Sequence, residues 1–154
     1  MLWFAREAVI AQGWSALEVL GQPGEHTDPL AWELDCAESA FAQIGDRRTL
    51  VIGKSLASLL AAAVVDRGLP AVWLTPLLTE TAVTDALVRA EEPTLLIGGT
   101  ADRLWRSDAI PDNPALRVLE LPGLDHGLQR PGEPHAGLDA LRQLTDAVAR
   151  LASE

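Results

Sequence analysis

Short apolar runs and stretches of helically spaced apolar residues alternate along this chain. Uninterrupted runs are typical of strands covered on both faces, whereas apolar residues at every third or fourth position are typical of helices. Alternating strands and helices indicate an α/β fold, a three-layer α/β/α sandwich around a mostly parallel sheet of about five strands. Strands are predicted over 15–20, 48–52, 71–75, 94–98 and 117–121, and helices over 2–12, 30–44, 56–67, 79–89 and 136–152, with a short helix near Ser107.

The length of 154 residues is that of one domain, so residues 1–154 are expected to fold as one unit. A chain of this size buries roughly 70% of the surface that its unfolded form exposes, which allows a substantial core. No apolar run approaches the length of about eighteen residues that a membrane-spanning helix needs. The first residues include the acidic Glu7 and lack a long apolar core, so neither a signal peptide nor a membrane anchor is expected.

The chain is acidic, with a formal net charge of −10 at pH 7. This charge disfavours nucleic-acid binding, which depends on clustered lysine and arginine. Of the 12 basic residues, Lys54 is the one lysine. The single cysteine, Cys36, cannot form an internal disulfide, which fits a reducing cytoplasm, and no pair of Cys or His residues has zinc-ligand spacing.

A serine follows one of the predicted strands at a sharp change of pattern. The apolar run that begins at Leu50 stops at Gly53, and an alanine-rich helical pattern begins directly after Ser55. This arrangement is typical of a nucleophile elbow, a tight strand-to-helix turn that exposes a serine hydroxyl. A serine hydroxyl is a poor nucleophile until a base removes its proton, so the interpretation needs a histidine and an acid elsewhere. Taken alone, such a serine more often caps the following helix.

Candidates for the acid and the base follow two later strands of the prediction. Asp102 comes after strand 94–98 in Gly-Gly-Thr-Ala-Asp, and His126 comes after strand 117–121 in Gly-Leu-Asp-His. The carboxyl ends of parallel strands meet at one edge of a sheet, where ligand and catalytic groups of α/β proteins gather. Serine, then aspartate, then histidine is also the chain order of the α/β-hydrolase triad.

On these residues the chain resembles a small α/β-hydrolase, a serine hydrolase of the dienelactone hydrolase-like or esterase-like kind. The resemblance spans residues 2–151, and Gly-Lys-Ser-Leu-Ala at 53–57 departs from Gly-x-Ser-x-Gly only in its last position, where alanine still allows close packing of helix on strand. It implies hydrolysis of a small ester or related acyl substrate with no metal or organic cofactor. The residues that it implicates are Ser55 as nucleophile, His126 as base, Asp102 as acid, the backbone N–H of Leu56 as oxyanion donor, and Gly53, Lys54 and Ala57 as the rest of the elbow.

Other residues compete for the roles of acid and base. An aspartate after a strand often caps a helix or a turn, and Asp125 is a second candidate acid. Neighbours in a turn seldom face each other, which favours Asp102 over Asp125 as the partner of His126. His26 and His135 lie in loops rich in proline and glycine with no preceding strand, so each is expected to be a solvated loop histidine.

Residues 53–55 also imitate the end of a phosphate-binding loop, which needs Gly-x-x-x-x-Gly-Lys-Ser/Thr. Arg48 stands where the first glycine is required, and the strand runs up to Gly53, so no glycine-rich arch can form. The spaced glycines of a dinucleotide site are absent as well. Nucleotide binding is therefore not expected.

The tryptophans leave one question about the substrate pocket. Trp105 lies three positions after Asp102, so it either lines a substrate pocket or packs in the core. Trp73 lies inside a predicted strand and is expected to be a core residue. The expected partner is a small-molecule substrate, without nucleic acid or membrane, and the sequence is compatible with a homodimer.

The resemblance also implies that something is missing. In that family a strand precedes the first helix, and the loop between them donates one of two N–H groups to the oxyanion hole, but this sequence begins inside that helix. The absent strand belongs between the predicted strands 15–20 and 48–52. Adjacent strands lie about 4.8 Å apart, so an empty place would leave these two beyond hydrogen-bonding reach. Either the two strands pair directly, or another segment or chain supplies the strand, or the chain is a truncated product that folds poorly; we expect direct pairing.

The missing loop bears on activity. Without its N–H group, Leu56 remains as one oxyanion donor, and loss of the second should lower turnover by about 100-fold to 1,000-fold. The competing interpretation is therefore a truncated hydrolase scaffold that does not turn over, or that serves as a partner-binding module.

Overall fold

Four parallel strands form the centre of the computed structural model, which describes residues 1–19, 21, 24 and 28–154. The strands follow one another across the sheet in chain order, and every neighbouring pair is parallel. Consecutive parallel strands require a crossover connection, which helices provide here. The strands are Val51–Lys54 (β1), Ala71–Leu74 (β2), Thr94–Gly99 (β3) and Leu116–Leu121 (β4).

Helices precede, connect and follow these strands. None of those in the described residues is both long and apolar enough to cross a bilayer. The helix after β1 begins as a 3₁₀ helix, Ser55–Leu60, and continues as an α-helix, and a second 3₁₀ helix spans Ser107–Ala109. The α-helices are Leu2–Ala11 (α1), Pro29–Ile44 (α2), Ala61–Asp66 (α3), Thr81–Val88 (α4) and Pro134–Ala152 (α5).

Strand side chains divide the core into two halves. In β2, Val72 and Leu74 face a cluster that includes α1 and α5, whereas Ala71 and Trp73 face a cluster that includes α2, α3 and α4. All four side chains are at most 2% exposed, as expected for a strand buried on both faces. This arrangement confirms the predicted three-layer α/β fold with a parallel sheet.

The sheet has one strand fewer than predicted, because residues 15–19 do not form a strand. The prediction that this segment pairs with the strand before Ser55 is therefore wrong, although Leu20 lies outside the described residues. The segment is held to helices instead: Trp14 Nε1 donates to the carbonyl of Ala152 at 2.9 Å, and Glu18 forms an ion pair with Arg6 of α1. Its apolar side chains gain little burial there, with Leu17 47% exposed.

Close packing behind β3 yields a test of the fold. A Cβ atom on Gly98 would lie 1.9 Å from Trp105 Cε3, and the Trp105 ring is only 5% exposed. Gly98→Ala should therefore lower the free energy of unfolding by about 1–3 kcal/mol or more, measured by urea denaturation.

Gly137→Ala is the matched control. Gly137 lies in α5, and its nearest neighbour to a new Cβ is Leu128 O at 3.5 Å, an ordinary contact. Alanine should there be neutral or stabilising by roughly 0.5–1 kcal/mol. Equal stability of the two variants would contradict the packing described.

Candidate active site

The turn at Ser55 is the first component of the site. Ser55 follows β1 at the carboxyl edge of the sheet and has a φ of 53°, which an L-residue adopts only at a cost in strain. Lys54 before it is still extended. A Cβ on Gly53 would lie 2.5 Å from the Trp73 ring and 3.1 Å from Ala57 Cβ, so both elbow positions must carry small residues.

Ser58 supports this turn, a role that was not predicted from the sequence. Its side chain is fully buried, donates to the carbonyl of Ser55 at 2.7 Å and accepts from the N–H of Leu77 at 3.0 Å. The hydroxyl thus joins the elbow to the loop that follows β2. A serine three positions after the elbow serine was a visible signal, but its second partner is 19 residues away in the chain.

The structure brings together the three residues predicted from the sequence as nucleophile, base and acid. His126 Nε2 lies 2.8 Å from Ser55 Oγ, and His126 Nδ1 lies 2.6 Å from Asp102 Oδ2. With the proton on Nδ1, the imidazole donates to the carboxylate and Nε2 can accept from the serine hydroxyl. We call Ser55, His126 and Asp102, joined by these two hydrogen bonds, the Ser55 row. The Asp102 side chain is 2% exposed and the His126 side chain 33%. The Asp102 end of the row is therefore buried, and the end toward Ser55 is accessible to solvent.

Asp102 is fixed by its own loop. Its second carboxylate oxygen accepts from the N–H of Leu104 at 2.9 Å, and its carbonyl accepts from the N–H of Trp105 at 3.1 Å. Trp105 packs in the core behind β3 and donates from Nε1 to Glu120 at 2.7 Å and to Ser107 at 3.1 Å. The Ser107 hydroxyl also donates to Glu120, and this hydrogen bond, together with the one from Trp105, lowers the pKa of the Glu120 carboxyl. Trp105 thus anchors the acid loop from the core, in line with the alternative to a pocket-lining role.

The loop carrying His126 is closed by the side chain of its neighbour. Asp125 Oδ1 accepts from the N–H groups of Gly127 at 2.8 Å and Gln129 at 2.9 Å, so its carboxylate faces the loop backbone. The hydrogen bond from His126 Nδ1 goes to Asp102 instead. Of the other histidines, His135 is exposed near the start of α5, and His26 lies outside the described residues.

Two further contacts hold the loops that carry Asp102 and His126. We call the loop after β3, which carries Asp102, the acid loop, and the loop after β4, which carries His126, the histidine loop. Thr100 Oγ1 accepts from the N–H of Gly123 at 2.7 Å and so links the two loops. Arg130 donates to the carbonyl of Pro122 at 2.6 Å and closes the base of the histidine loop. The relative positions of Asp102 and His126 therefore depend on hydrogen bonds as well as on the sheet.

Backbone strain is concentrated around this edge. Among the described residues, the non-glycine residues with positive φ are Ser55 (53°), Thr75 (46°) and Leu128 (54°). They lie directly after β1, directly after β2 and in the histidine loop. Thr75 is fully buried and its hydroxyl has no partner in the described part of the chain. Strain and unsatisfied polar groups of this kind often mark functional sites.

The Leu56 N–H, the predicted oxyanion donor, lies at the start of the helix after Ser55. Leu56 is the second residue of the 3₁₀ helix, so its N–H precedes the first hydrogen bond of that helix.

Lys54 lies near the beginning of α1, because burial and the Lys54 ammonium lower the pKa of the Met1 amino group. In the described residues, no group of three or more His, Cys, Asp or Glu side chains is placed to hold a metal ion.

A groove lies away from this site. It has a volume of about 1080 Å³ and lies along the side of β1 that faces away from β2, and we call it the edge groove. Its walls are α1, residues 13–19, and residues 43–52 from the end of α2 into β1, without Ser55, Asp102 or His126. The edge groove and the Ser55 row are therefore two separate places on the molecule.

The chain has the fold of a known serine hydrolase homologue. Superposition on an α/β serine hydrolase homologue from Coxiella burnetii gives a TM-score of 0.70 at 12% sequence identity, covering 97% of this chain and 74% of that one. Scans against protein-family models and against curated proteins gave no match. At this identity the similarity establishes the fold alone, and the role of the Ser55 row does not follow from it.

The Asp125 turn yields a test that does not depend on catalysis. Asp125→Ala removes the acceptor of two backbone N–H groups and should lower the free energy of unfolding by about 1–3 kcal/mol, measured by urea denaturation. Hydrogen exchange at Gly127 and Gln129 should speed up.

Asp125→Asn is the matched control, because an amide oxygen can still accept both hydrogen bonds. It should lie close to the wild type in stability and in exchange at both positions. An alanine variant as stable as the wild type would show that the Asp125 hydrogen bonds do not hold the loop.

Proposed function

We propose that this protein is a serine hydrolase that cleaves a small ester or related acyl substrate by nucleophilic catalysis. The observation that carries the proposal is the continuous row of hydrogen bonds from Ser55 through His126 to Asp102. An activated nucleophile is characterised by a base within hydrogen-bonding reach and a third group that orients the base. The fold shared with a serine hydrolase homologue supports the same class of reaction.

In the proposed mechanism Ser55 Oγ attacks the substrate carbonyl carbon while His126 Nε2 takes the hydroxyl proton. The carbonyl oxygen becomes an oxyanion, to which the Leu56 N–H donates. His126 then returns the proton to the leaving alcohol, and an acyl-serine remains. Water repeats the sequence in the second half: His126 accepts its proton, the acyl group is released as an acid, and Ser55 regains its proton. Asp102 stabilises the positively charged imidazole throughout.

The substrate class rests on the chemistry rather than on a shaped pocket. Neither the edge groove nor the smaller groove between residues 17–19 and α2 is lined by Ser55 or His126. Both side chains are half-buried and approachable from solvent. The net charge of −10 favours a small molecule over a nucleic acid as partner.

A non-catalytic scaffold that binds a partner is the second candidate function. The edge groove favours it, because this groove is larger than many ligand sites and is separate from the Ser55 row. The two functions do not exclude each other. They are distinguished by whether ester cleavage depends on Ser55.

Hydrolysis of p-nitrophenyl acetate tests the proposal. The wild type should release p-nitrophenol above the buffer rate, and Ser55→Ala and His126→Ala should each lower kcat/KM by at least about 100-fold, since both remove the nucleophilic step. Circular dichroism checks that each variant is folded.

His135→Ala is the matched control, because His135 is exposed near the start of α5 and outside the row. It should retain the wild-type rate. Activity that survives in folded Ser55→Ala would overturn the proposed nucleophile, and a folded wild type with no activity would favour the scaffold.

A further inference from the structure

The hydroxyl of Ser58 lies between the Ser55 turn and the loop that follows β2. It donates to the carbonyl of Ser55 at 2.7 Å and accepts from the N–H of Leu77 at 3.0 Å. A serine hydroxyl has one hydrogen to donate, so its donor is fully used here, together with one of its acceptor positions. Because the side chain is fully buried, water does not replace either hydrogen bond when a partner is removed.

The hydrogen bond to the Ser55 carbonyl also bears on Leu56. The C=O of one residue and the N–H of the next belong to one planar peptide unit, in which they point in opposite directions. A group that holds the Ser55 carbonyl therefore also holds the Leu56 N–H, the predicted oxyanion donor. This peptide needs such support, because Ser55 has a φ of 53° and the turn is strained.

The loop after β2 continues the connection as far as the acid. Leu78 donates its N–H to the carbonyl of Leu104 at 3.0 Å, and Leu104 donates its own N–H to Asp102 at 2.9 Å. Leu78 and Asp102 are both buried, so this part of the connection is also shielded from water. Ser55 and Asp102 are thus joined by hydrogen bonds that do not pass through His126. We call the residues that join them the bridge: Ser58, Leu77, Leu78 and Leu104.

The order of the strands explains why the site needs the bridge. β2 lies between β1, which precedes Ser55, and β3, which precedes Asp102. Since β1 and β3 are not neighbours, the separation of Ser55 and Asp102 depends on what lies between the strand ends. That separation must fit the imidazole of His126, whose nitrogens lie 2.8 Å from Ser55 Oγ and 2.6 Å from Asp102 Oδ2. The ring is rigid, so a shift of either residue lengthens one of these hydrogen bonds.

The loop after β2 starts from a fixed base. Thr75 is fully buried and donates its N–H to the carbonyl of Ile97 in β3 at 2.6 Å. Pro76 follows, and its ring fixes its own φ. The loop therefore has little freedom to absorb a displacement at Leu77, and such a displacement is passed on to the acid loop.

We propose that Ser58 is a positioning residue for the reaction proposed above. Through the peptide after Ser55 its hydroxyl orients the Leu56 N–H, and through the bridge it fixes the separation of Ser55 and Asp102. Ser58 does not touch the reacting atoms, because its side chain is fully buried. The inference rests on the proposed function and adds to it a residue on which turnover depends, rather than substrate binding.

Steady-state kinetics of Ser58→Ala with p-nitrophenyl acetate test the inference. Both effects of the hydroxyl act on the transition state, in which the oxyanion forms and the proton moves to His126. We therefore expect kcat to fall about tenfold or more while KM stays within about twofold of the wild-type value. Circular dichroism checks that the variant is folded.

Ser58→Cys is the conservative variant. A thiol is a weak donor and a weak acceptor, so cysteine keeps both hydrogen bonds in a weaker form at nearly the same size. Its kcat should lie between those of the wild type and Ser58→Ala. Should Ser58→Ala not fold, a wild-type kcat in folded Ser58→Cys would overturn the inference.

Thr145→Ala is the matched control. Thr145 in α5 donates its hydroxyl to the carbonyl of Leu141 at 2.7 Å, the distance that also separates the Ser58 hydroxyl from the Ser55 carbonyl. The variant thus loses a similar hydrogen bond inside a helix, away from the Ser55 row and the bridge. It should keep the wild-type kcat and KM.

Hydrogen exchange tests the bridge without a substrate. Ser58→Ala frees the N–H of Leu77, so exchange at Leu77 should speed up. If the bridge extends to the acid, exchange at Leu78 and Leu104 should speed up as well. Thr145→Ala should leave all three rates unchanged. Unchanged exchange at Leu104 in Ser58→Ala would overturn the link to Asp102.

The kinetic results separate this inference from the proposed function. A folded wild type without activity, or activity that survives in Ser55→Ala, would refute the proposed function itself. Where the wild type shows activity that depends on Ser55, three results would overturn the role of Ser58 alone. These are an unchanged kcat in folded Ser58→Ala, a raised KM at unchanged kcat, and an equal fall of kcat in Thr145→Ala.

Discussion

The sharp turn at Ser55 is the constraint on which the rest of the site depends. A positive φ at a serine costs strain of order 1–3 kcal/mol, and the surrounding structure must hold it. The hydrogen bonds of β1 hold the turn on one side, and Ser58 holds it on the other by bonding the Ser55 carbonyl. The close approach of Trp73 and Ala57 to Gly53 leaves little room for a different turn. The serine oxygen therefore projects above the carboxyl edge of the sheet.

The parallel sheet explains how three distant residues meet at this edge. Ser55, Asp102 and His126 follow β1, β3 and β4, and parallel strands in register bring their ends to one side. The sheet fixes only the ends of the loops, and a loop held at its ends alone could move far enough to break a hydrogen bond between Asp102 and His126. The contacts of Thr100 with the histidine loop and of Asp125 within it remove this freedom. Positioning is thus shared between the strands and a small set of local hydrogen bonds.

Much of the fold could be predicted because its signals are local. Buried strands such as β2 and β3 carry uninterrupted apolar runs. Ser55, Asp102 and His126 each follow a predicted strand, and their order along the chain is that of a hydrolase triad. The segment 15–19 has apolar residues at a strand-like spacing, but whether a strand forms depends on a partner edge, and Trp14 and Glu18 bind helices instead. Ser58 and Glu120 were missed for the same reason: their partners are distant in sequence.

Covalent labelling with a fluorophosphonate probe reports directly on whether Ser55 is activated, because the probe reacts with a serine only where a base activates its oxygen. We expect one phosphonyl group per folded chain by intact mass, located at Ser55 by peptide mapping, and none in Ser55→Ala or in Asp102→Ala under the same brief exposure. A folded wild-type chain that stays unlabelled, or one labelled at a different serine, would show that Ser55 is not the activated nucleophile.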